Sequence, residues 1–125
     1  MKKVIYSDRA PKAVGPYAHA NEAGGVVFVS GQLGLDPETG KMQEGVEAQT
    51  RQALENLKAV LEDAGSSIDD VLKTTVFLDA IGDFSKVNEI YAEYFGENSP
   101  ARSCFEVAAL PLGGLVEIEA VAAEK

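Results

Sequence analysis

The 125 residues suffice for one globular domain, and a hydrophobic fraction of 46% is too high for a disordered chain. Twenty acidic residues against eleven scattered basic ones give a net charge of −9, which argues against a nucleic-acid partner. A single cysteine excludes an internal disulfide and suits a reducing compartment, and no apolar run approaches membrane-spanning length, so we expect one cytoplasmic domain over residues 1–125 and no membrane partner.

The first third of the chain predicts β-structure. Apolar runs at residues 4–7, 17–21 and 26–31 are typical of strands, and the last two flank the turn-like residues 22–25, which indicates a hairpin. The following stretch, residues 32–42, contains Asp-Pro and Thr-Gly and is expected to be an exposed loop.

The rest of the chain predicts two helices and three strands. In residues 44–65 apolar side chains recur at helical spacing, and Gly65 supplies the stop. A second helix is predicted over residues 83–96, with Asp83 as its N-cap. Strands are predicted at 71–79, 101–108 and 115–123.

This order of elements predicts an α+β sandwich, a mixed six-stranded sheet with two helices packed on one face. Two helices can cover only one face, yet residues 26–29 are apolar on both. The strand at 71–79 likewise has Leu72 and Val76 on one face and Val71 and Phe77 on the other. An apolar uncovered face predicts a symmetric oligomer that buries it.

The strand at residues 101–107 has an arginine where a sheet usually has apolar or solvated side chains. Alternation places Arg102 and Cys104 on one face and Phe105 and Val107 on the other. If the helices cover Phe105 and Val107, Arg102 lies near a subunit boundary.

The last strand has Glu117 and Glu119 on one face. A hairpin between this strand and residues 101–107 would place Arg102 and Glu117 on one partly buried surface. Two readings follow: an Arg–Glu ion pair that sets the oligomer register, or a site in which Arg102 binds a small carboxylate and Glu117 moves a proton. On residue types alone the ion pair is favoured.

The remaining candidates each have a structural explanation too. Tyr17 can be a packed turn aromatic, Cys104 a small buried hydrophobe, and Asn88 a residue with only local hydrogen bonds. His19 is expected at the surface. Ser30 and Gly31 end a strand, where glycine usually marks a turn or a close backbone approach.

Signatures of metal and cofactor sites are missing from the sequence. It has no phosphate-binding Gly-Lys-Ser/Thr loop and no Gly-x-Gly-x-x-Gly motif after a strand. The one histidine, His19, is far in sequence from Cys104, so no His/Cys pair has metal-ligand spacing. We expect neither a metal nor an organic cofactor.

The segment "PARSCFEVAALPLGGLVEIEAVA" resembles the C-terminal signature of the RidA/YjgF family of imine and enamine deaminases. The resemblance extends over nearly the whole chain, through "APKAVGPYAHA", "VFVSGQLGLDPETGKM" and "VLKTTVFLDAIGDFSKVNEIYAEYF". It implies one RidA-like domain over residues 1–125, a chorismate-mutase-like fold and a homotrimer with sites between subunits. It also implies cofactor-free hydrolysis of 2-imino acids, derived from 2-aminoacrylate, to 2-keto acids and ammonia.

The resemblance also assigns roles to individual residues. It implies that Arg102 binds the substrate carboxylate and that Glu117 positions the water. Further substrate-binding positions are implied for Tyr17, Ser30, Gly31, Asn88 and Cys104. At position 19 many members have glutamine, so His19 is a departure.

Three other functions compete with the deaminase. A non-catalytic trimer that binds small 2-keto acids would need Arg102 but not Glu117. A ribonuclease is disfavoured by the net charge of −9 and the absence of a histidine pair. A chorismate mutase would need several cationic groups around a dianion, and only one arginine is evident.

Overall fold

The computed structural model describes residues 1–125 and contains two α-helices and a sheet of six strands. The strands are β1 (Lys3–Ile5), β2 (Ala20–Ala23), β3 (Val26–Leu33), β4 (Val71–Leu78), β5 (Ala101–Glu106) and β6 (Val116–Ala123). The helices are α1 (Val46–Asp63) and α2 (Phe84–Phe95), and short 3-10 turns occupy residues 68–70, 81–83 and 111–113. The mixed six-stranded sheet with two helices is confirmed.

Both helices form where the apolar periodicity predicts them, and the predictions for their ends are confirmed in part. The buried side chains of α1 lie on one face, and Gly65 follows the helix at a φ of 81°, a conformation that glycine adopts without strain. Asp83 stands at the N-cap position of α2, as predicted, but its side chain makes no capping hydrogen bond. Its φ and ψ of −84° and 0° belong to the preceding 3-10 turn, whereas an N-cap usually needs an extended backbone.

The strand order is β1-β2-β3-β6-β4-β5, and only the pair β4–β5 is parallel. The predicted hairpin between residues 101–107 and the last strand is therefore wrong. Helix α2 connects β4 to β5 as a crossover, and a crossover brings the next strand in parallel. β6 instead lies between β3 and β4, so a whole strand separates it from β5.

The hairpin β2–β3 turns at Gly24 and Gly25, whose φ values of 58° and 81° suit a two-residue turn that matches the strand twist. This turn pairs Ala23 with Val26 and Ala20 with Val29. β2 therefore begins at Ala20, later than predicted. The expected loop at 32–42 also changes, because β3 continues to Leu33.

The helices cover one face of the sheet, and the core forms there. Its fully buried strand residues include Val27, Val76, Leu78, Val116 and Ile118. In β4 a bulge between Val71 and Lys73 shifts the register, so Val71 is buried and Leu72 is 54% exposed, the reverse of the predicted faces. Neither α1 nor α2 combines the length and the apolar composition that a transmembrane helix requires.

The other face of the sheet, which we call the open face, has no covering element. Phe28 and Phe105 are 54% and 51% exposed, and the ring of Phe105 lies 6.4 Å from that of Phe77. The apolar uncovered face is as predicted for residues 26–29. Phe105, however, lies on this face and not under the helices, which reverses the predicted orientation of β5.

Candidate active site

The first group of candidate residues surrounds a bulge in β3. Between the pairs Val29–Ala120 and Gln32–Ile118, two residues of β3, Ser30 and Gly31, stand opposite one residue of β6. Such bulges redirect side chains and often lie beside functional sites. Ser30 and Gly31 thus interrupt the strand and do not end it.

Gly31 lets the side chain of Glu117 lie directly against the β3 backbone. A Cβ atom at position 31 would stand 2.7 Å from Glu117 Oε2 and 2.8 Å from its Cδ, closer than real Cβ contacts. Gly31 has no left-handed φ, so the requirement for glycine here is space and not backbone conformation.

Glu117 is an ionisable group in a poorly solvated position. Burial raises its pKa above the usual range for a glutamate, and the nearby charge of Glu119 raises it further. No cation pairs with it within the chain. Its carboxyl group is therefore suited to accept and return a proton.

The segment before β2 completes this group. Ser30 Oγ donates a hydrogen bond to the carbonyl of Ala18 at 2.6 Å, and the Ser30 amide donates to the carbonyl of His19 at 2.9 Å. These bonds hold the neighbouring Tyr17, whose side chain is exposed. Tyr17, Ser30, Gly31 and Glu117 line one cavity of about 410 Å³, called here the Glu117 cavity.

The second group lies on β5 and α2 around Arg102. Its Nη1 donates to Asn88 Oδ1 at 2.8 Å. The guanidinium carbon lies 4.8 Å from the ring centre of Tyr91 and 5.4 Å from that of Phe84. These contacts hold the guanidinium in place, because aromatic faces attract cations and Tyr91 is itself bonded to Thr74 at 2.7 Å.

Arg102 has no carboxylate partner within the chain, although it is partly buried. The ion pairs in the structure involve Arg9 and Arg51 instead. Asn88 takes up only part of the donor capacity of a guanidinium, which has five N–H groups arranged as a fork. The free donors suit bidentate binding of an external carboxylate.

Cys104 lies on the same side of β5 as Arg102 and packs against the core. Burial raises the pKa of its thiol, and the charge of Arg102 only partly opposes this effect. A raised pKa keeps the thiol protonated, which is the less nucleophilic form. The position therefore fits a small neutral side chain beside the arginine.

The two groups lie on opposite faces of the sheet. Arg102 lies on the face covered by the helices and contacts α2, whereas Glu117 and its cavity lie on the open face. The predicted common surface of Arg102 and Glu117 is wrong for a single chain, and no ion pair joins them. The reason is the register of the two pairings: Arg102 stands beside the buried Thr74, whereas Glu117 stands beside Phe77 on the open face.

Sequence reasoning missed some of the site's surroundings. His19, expected at the surface, is only 4% exposed and lies beside the Glu117 cavity. The side chains around Arg102 follow helical spacing, because Phe84, Asn88 and Tyr91 fall on one face of α2. No group of three or more His, Cys, Asp or Glu side chains is arranged to hold a metal ion.

The chain matches known proteins over nearly its whole length. The family model described as Endoribonuclease L-PSP matches residues 7–124. A 2-iminobutanoate/2-iminopropanoate deaminase of Salmonella typhimurium is 47% identical over 128 residues, with both chains covered completely. Reactive Intermediate Deaminase A, chloroplastic, of Arabidopsis thaliana is 51% identical over 122 residues, which cover 97% of this chain and 65% of that protein.

Solved structures agree. The crystal structure of Escherichia coli TdcF with bound serine has a TM-score of 0.94 and 43% sequence identity, and the match covers 98% of this chain and 99% of that one. Fold, length and sequence therefore point to the same group of proteins. The chain belongs to the RidA/YjgF family.

Proposed function

We propose that this protein is a 2-iminoalkanoate and enamine deaminase, which hydrolyses reactive 2-imino acids to 2-keto acids and ammonia. The observation that carries the proposal is Arg102, a partly buried guanidinium held by Asn88 and two aromatic rings with no carboxylate of its own chain. A 2-imino acid offers the missing carboxylate. Relatives named as reactive intermediate deaminases, at about half identity over almost all of this chain, support the same reaction.

The proposal requires a second copy of the chain. Arg102 and Glu117 lie on different surfaces, so one active site takes Arg102, Asn88 and Cys104 from one copy and the Glu117 cavity from its neighbour. Contact between two different surfaces is heterologous, and such contacts form a ring when the rotation between copies closes. The exposed Phe28 and Phe105 on the open face favour burial in this contact. We propose a homotrimer, the ring that the family resemblance implies.

The proposed reaction is the addition of water to a C=N bond, followed by loss of ammonia. Arg102 binds the carboxylate in a bidentate manner and fixes the imine carbon against the neighbour's Glu117. Ionised Glu117 takes a proton from the attacking water as the C–O bond forms. It returns this proton to the nitrogen to give the carbinolamine. It then takes the hydroxyl proton as the C=O bond forms and delivers it to the nitrogen, so that the C–N bond breaks to leave the 2-keto acid and ammonia.

The proposed mechanism gives the other residues supporting roles. Tyr17, Ser30 and Gly31 shape the cavity on the Glu117 side, and Asn88 orients the arginine. Cys104 takes no covalent part, because burial keeps its thiol protonated and no base lies beside it. None of these steps calls for a metal or an organic cofactor.

A second candidate is a non-catalytic trimer that binds small carboxylates such as 2-keto acids. The crystal structure of TdcF with bound serine favours it, because serine has a carboxylate and is not an imine. The two candidates differ at Glu117. A binder gains nothing from an acid beside an anionic ligand, so Glu117→Gln leaves or strengthens ligand binding, whereas the deaminase loses turnover.

The family description as an endoribonuclease raises a third possibility, which the geometry does not favour. The single histidine accepts a hydrogen bond from the Ser7 amide at 2.8 Å and donates one to the Pro11 carbonyl at 2.8 Å. Neither ring nitrogen is free to serve as a base. The net charge of −9 also repels a phosphate backbone.

The test measures keto-acid release from imino acids generated in situ by an amino-acid oxidase, with semicarbazide as a trap for free imine. Wild type, Arg102→Ala and Arg51→Ala are compared after their oligomer sizes are shown to match. Arg51 is the control, because it is an exposed arginine paired with Glu93. Faster release by wild type and Arg51→Ala but not by Arg102→Ala supports the deaminase. Equal rates in all three and in buffer contradict it.

A further inference from the structure

His19 is held in one protonation state by two backbone groups. The Ser7 amide can only donate, so Nδ1 of His19 accepts at 2.8 Å. The Pro11 carbonyl can only accept, so Nε2 donates at 2.8 Å. This pair of bonds is possible only for the neutral imidazole with its proton on Nε2, since both nitrogens of an imidazolium are donors.

These two bonds anchor the segment that carries Tyr17, residues 12–17. Ser7 is fixed to α1 through its hydroxyl, which donates to Asp63. Within residues 12–17 the only hydrogen bonds are local, from the Tyr17 amide to Gly15 and from the Val14 amide to the Tyr17 hydroxyl. The segment is thus held at its start by the bond from His19 to Pro11 and at its end by the bond from Ser30 to Ala18.

We propose that neutral His19 is a positioning residue that holds residues 12–17, and with them Tyr17, over the Glu117 cavity, and that its protonation releases this segment. A proton on Nδ1 turns the Ser7–His19 bond into a contact between two donors, so the ring must move and the Pro11 bond is disturbed with it. The inference rests on the proposed function of this cavity. If the proposal is correct, activity falls at low pH for two reasons, protonation of His19 and protonation of Glu117.

Other groups near His19 also respond to pH and must be separated from it. The Tyr6 ring packs edge-on at 6.0 Å, and Asp63 is reached through Ser7. The shared cavity is also lined by Lys12, Tyr17, Glu117 and Glu119. A variant that keeps all of these groups but cannot gain a proton at position 19 isolates the histidine.

Glutamine is that variant, because its amide oxygen can accept from Ser7 and its amide nitrogen can donate to Pro11. Wild type, His19→Gln and His19→Leu are compared from pH 8 down to the lowest pH at which α1 keeps its protection. The first readout is hydrogen–deuterium exchange of peptides covering residues 7–19, corrected for intrinsic exchange, with α1 as the internal reference. The second readout is keto-acid release, from which the rate in protein-free buffer at the same pH is subtracted.

We expect acidification to reduce the protection of residues 7–19 from exchange in wild type but not in His19→Gln. In His19→Leu these residues should lack that protection at every pH. The ratio of wild-type to His19→Gln kcat/KM should fall by about five- to tenfold, the worth of one hydrogen bond, mainly through KM. If glutamine prevents folding, His19→Leu takes its place, and protection of residues 7–19 that still changes with pH in that variant overturns the positioning role.

The outcomes separate the two proposals. Equal protection changes in wild type and His19→Gln, or no change in wild type, overturn the positioning role whatever the activity. The expected exchange pattern without keto-acid release at any pH leaves the positioning role standing and contradicts the deaminase. The expected pattern in both hydrogen–deuterium exchange and keto-acid release supports the positioning role of His19 and the deaminase activity.

Discussion

The contact between Gly31 and Glu117 allows the proposed role of Glu117 to be tested without removing its carboxylate. In Gly31→Ala the new Cβ would stand 2.7 Å from Glu117 Oε2. Ordinary van der Waals contact begins at 3.4 Å, so the carboxylate must retreat by about 0.7 Å. The backbone can stay in place, because the clashing atoms belong to a flexible side chain and Gly31 has no left-handed φ.

This displacement should affect catalysis much more than stability. A misplacement of about 1 Å at a reacting group costs roughly 100-fold in rate, so a shift of 0.7 Å should lower kcat/KM by about 30- to 100-fold, or about 2 to 3 kcal/mol. The free energy of unfolding should change by less than about 1 kcal/mol. Alanine restricts the unfolded chain, which offsets part of the cost of moving the side chain.

The assay is keto-acid release at matched oligomer size, with urea unfolding in parallel. Gly82→Ala is the control, because a Cβ there meets nothing within 4 Å and its φ is not left-handed. The control should retain wild-type kinetics. If Gly31→Ala stays within about threefold of wild type, Glu117 does not act from its position against β3, and the reasoning is refuted.

Three further predictions concern single residues. Glu117→Gln should unfold at a higher urea concentration than wild type at pH 7, and at the same urea concentration at about pH 4. Burial raises the pKa of Glu117, so its carboxylate lowers the free energy of unfolding only at a pH where it is ionised. The opposite trend would contradict that burial cost. Cys104→Ala should keep keto-acid release within about threefold, and lost turnover in an intact oligomer would show a covalent role. Asn56→Ala should cost about 2 to 4 kcal/mol in urea unfolding, because the buried Asn56 amide donates to the carbonyls of Leu33 and Leu35.

The elements themselves were predictable because their signals are local. The helical spacing in α1 and the alternation in β6 each depend only on which side chains share a face, and both were predicted close to their observed bounds. Arg102 and Glu117 also stood out as charges in strands. Asp83 lacks its capping bond because its backbone belongs to the preceding 3-10 turn, and β2 begins only at Ala20, where its pairing with Val29 begins.

The relation between Arg102 and Glu117 was not predictable in this way. Alternation in β5 separates Arg102 from Phe105, but it does not say which of them the helices cover. The choice was reversed because β5 pairs with β4 in a register that sets Arg102 beside the buried Thr74 and Phe105 beside Phe77. In β4 a single bulge likewise exchanged the faces of Val71 and Leu72.

Periodicity and side-chain chemistry were sufficient to predict the helices, the strands, the uncovered apolar face and the residue types at the site. The strand order, the burial of His19 and the separation of Arg102 from Glu117 became evident only in the folded chain. These depend on contacts between residues distant in sequence, such as His19 with Ser7 and Pro11 or Glu117 with Gly31. Long-range packing selects such pairings, and no local pattern encodes them.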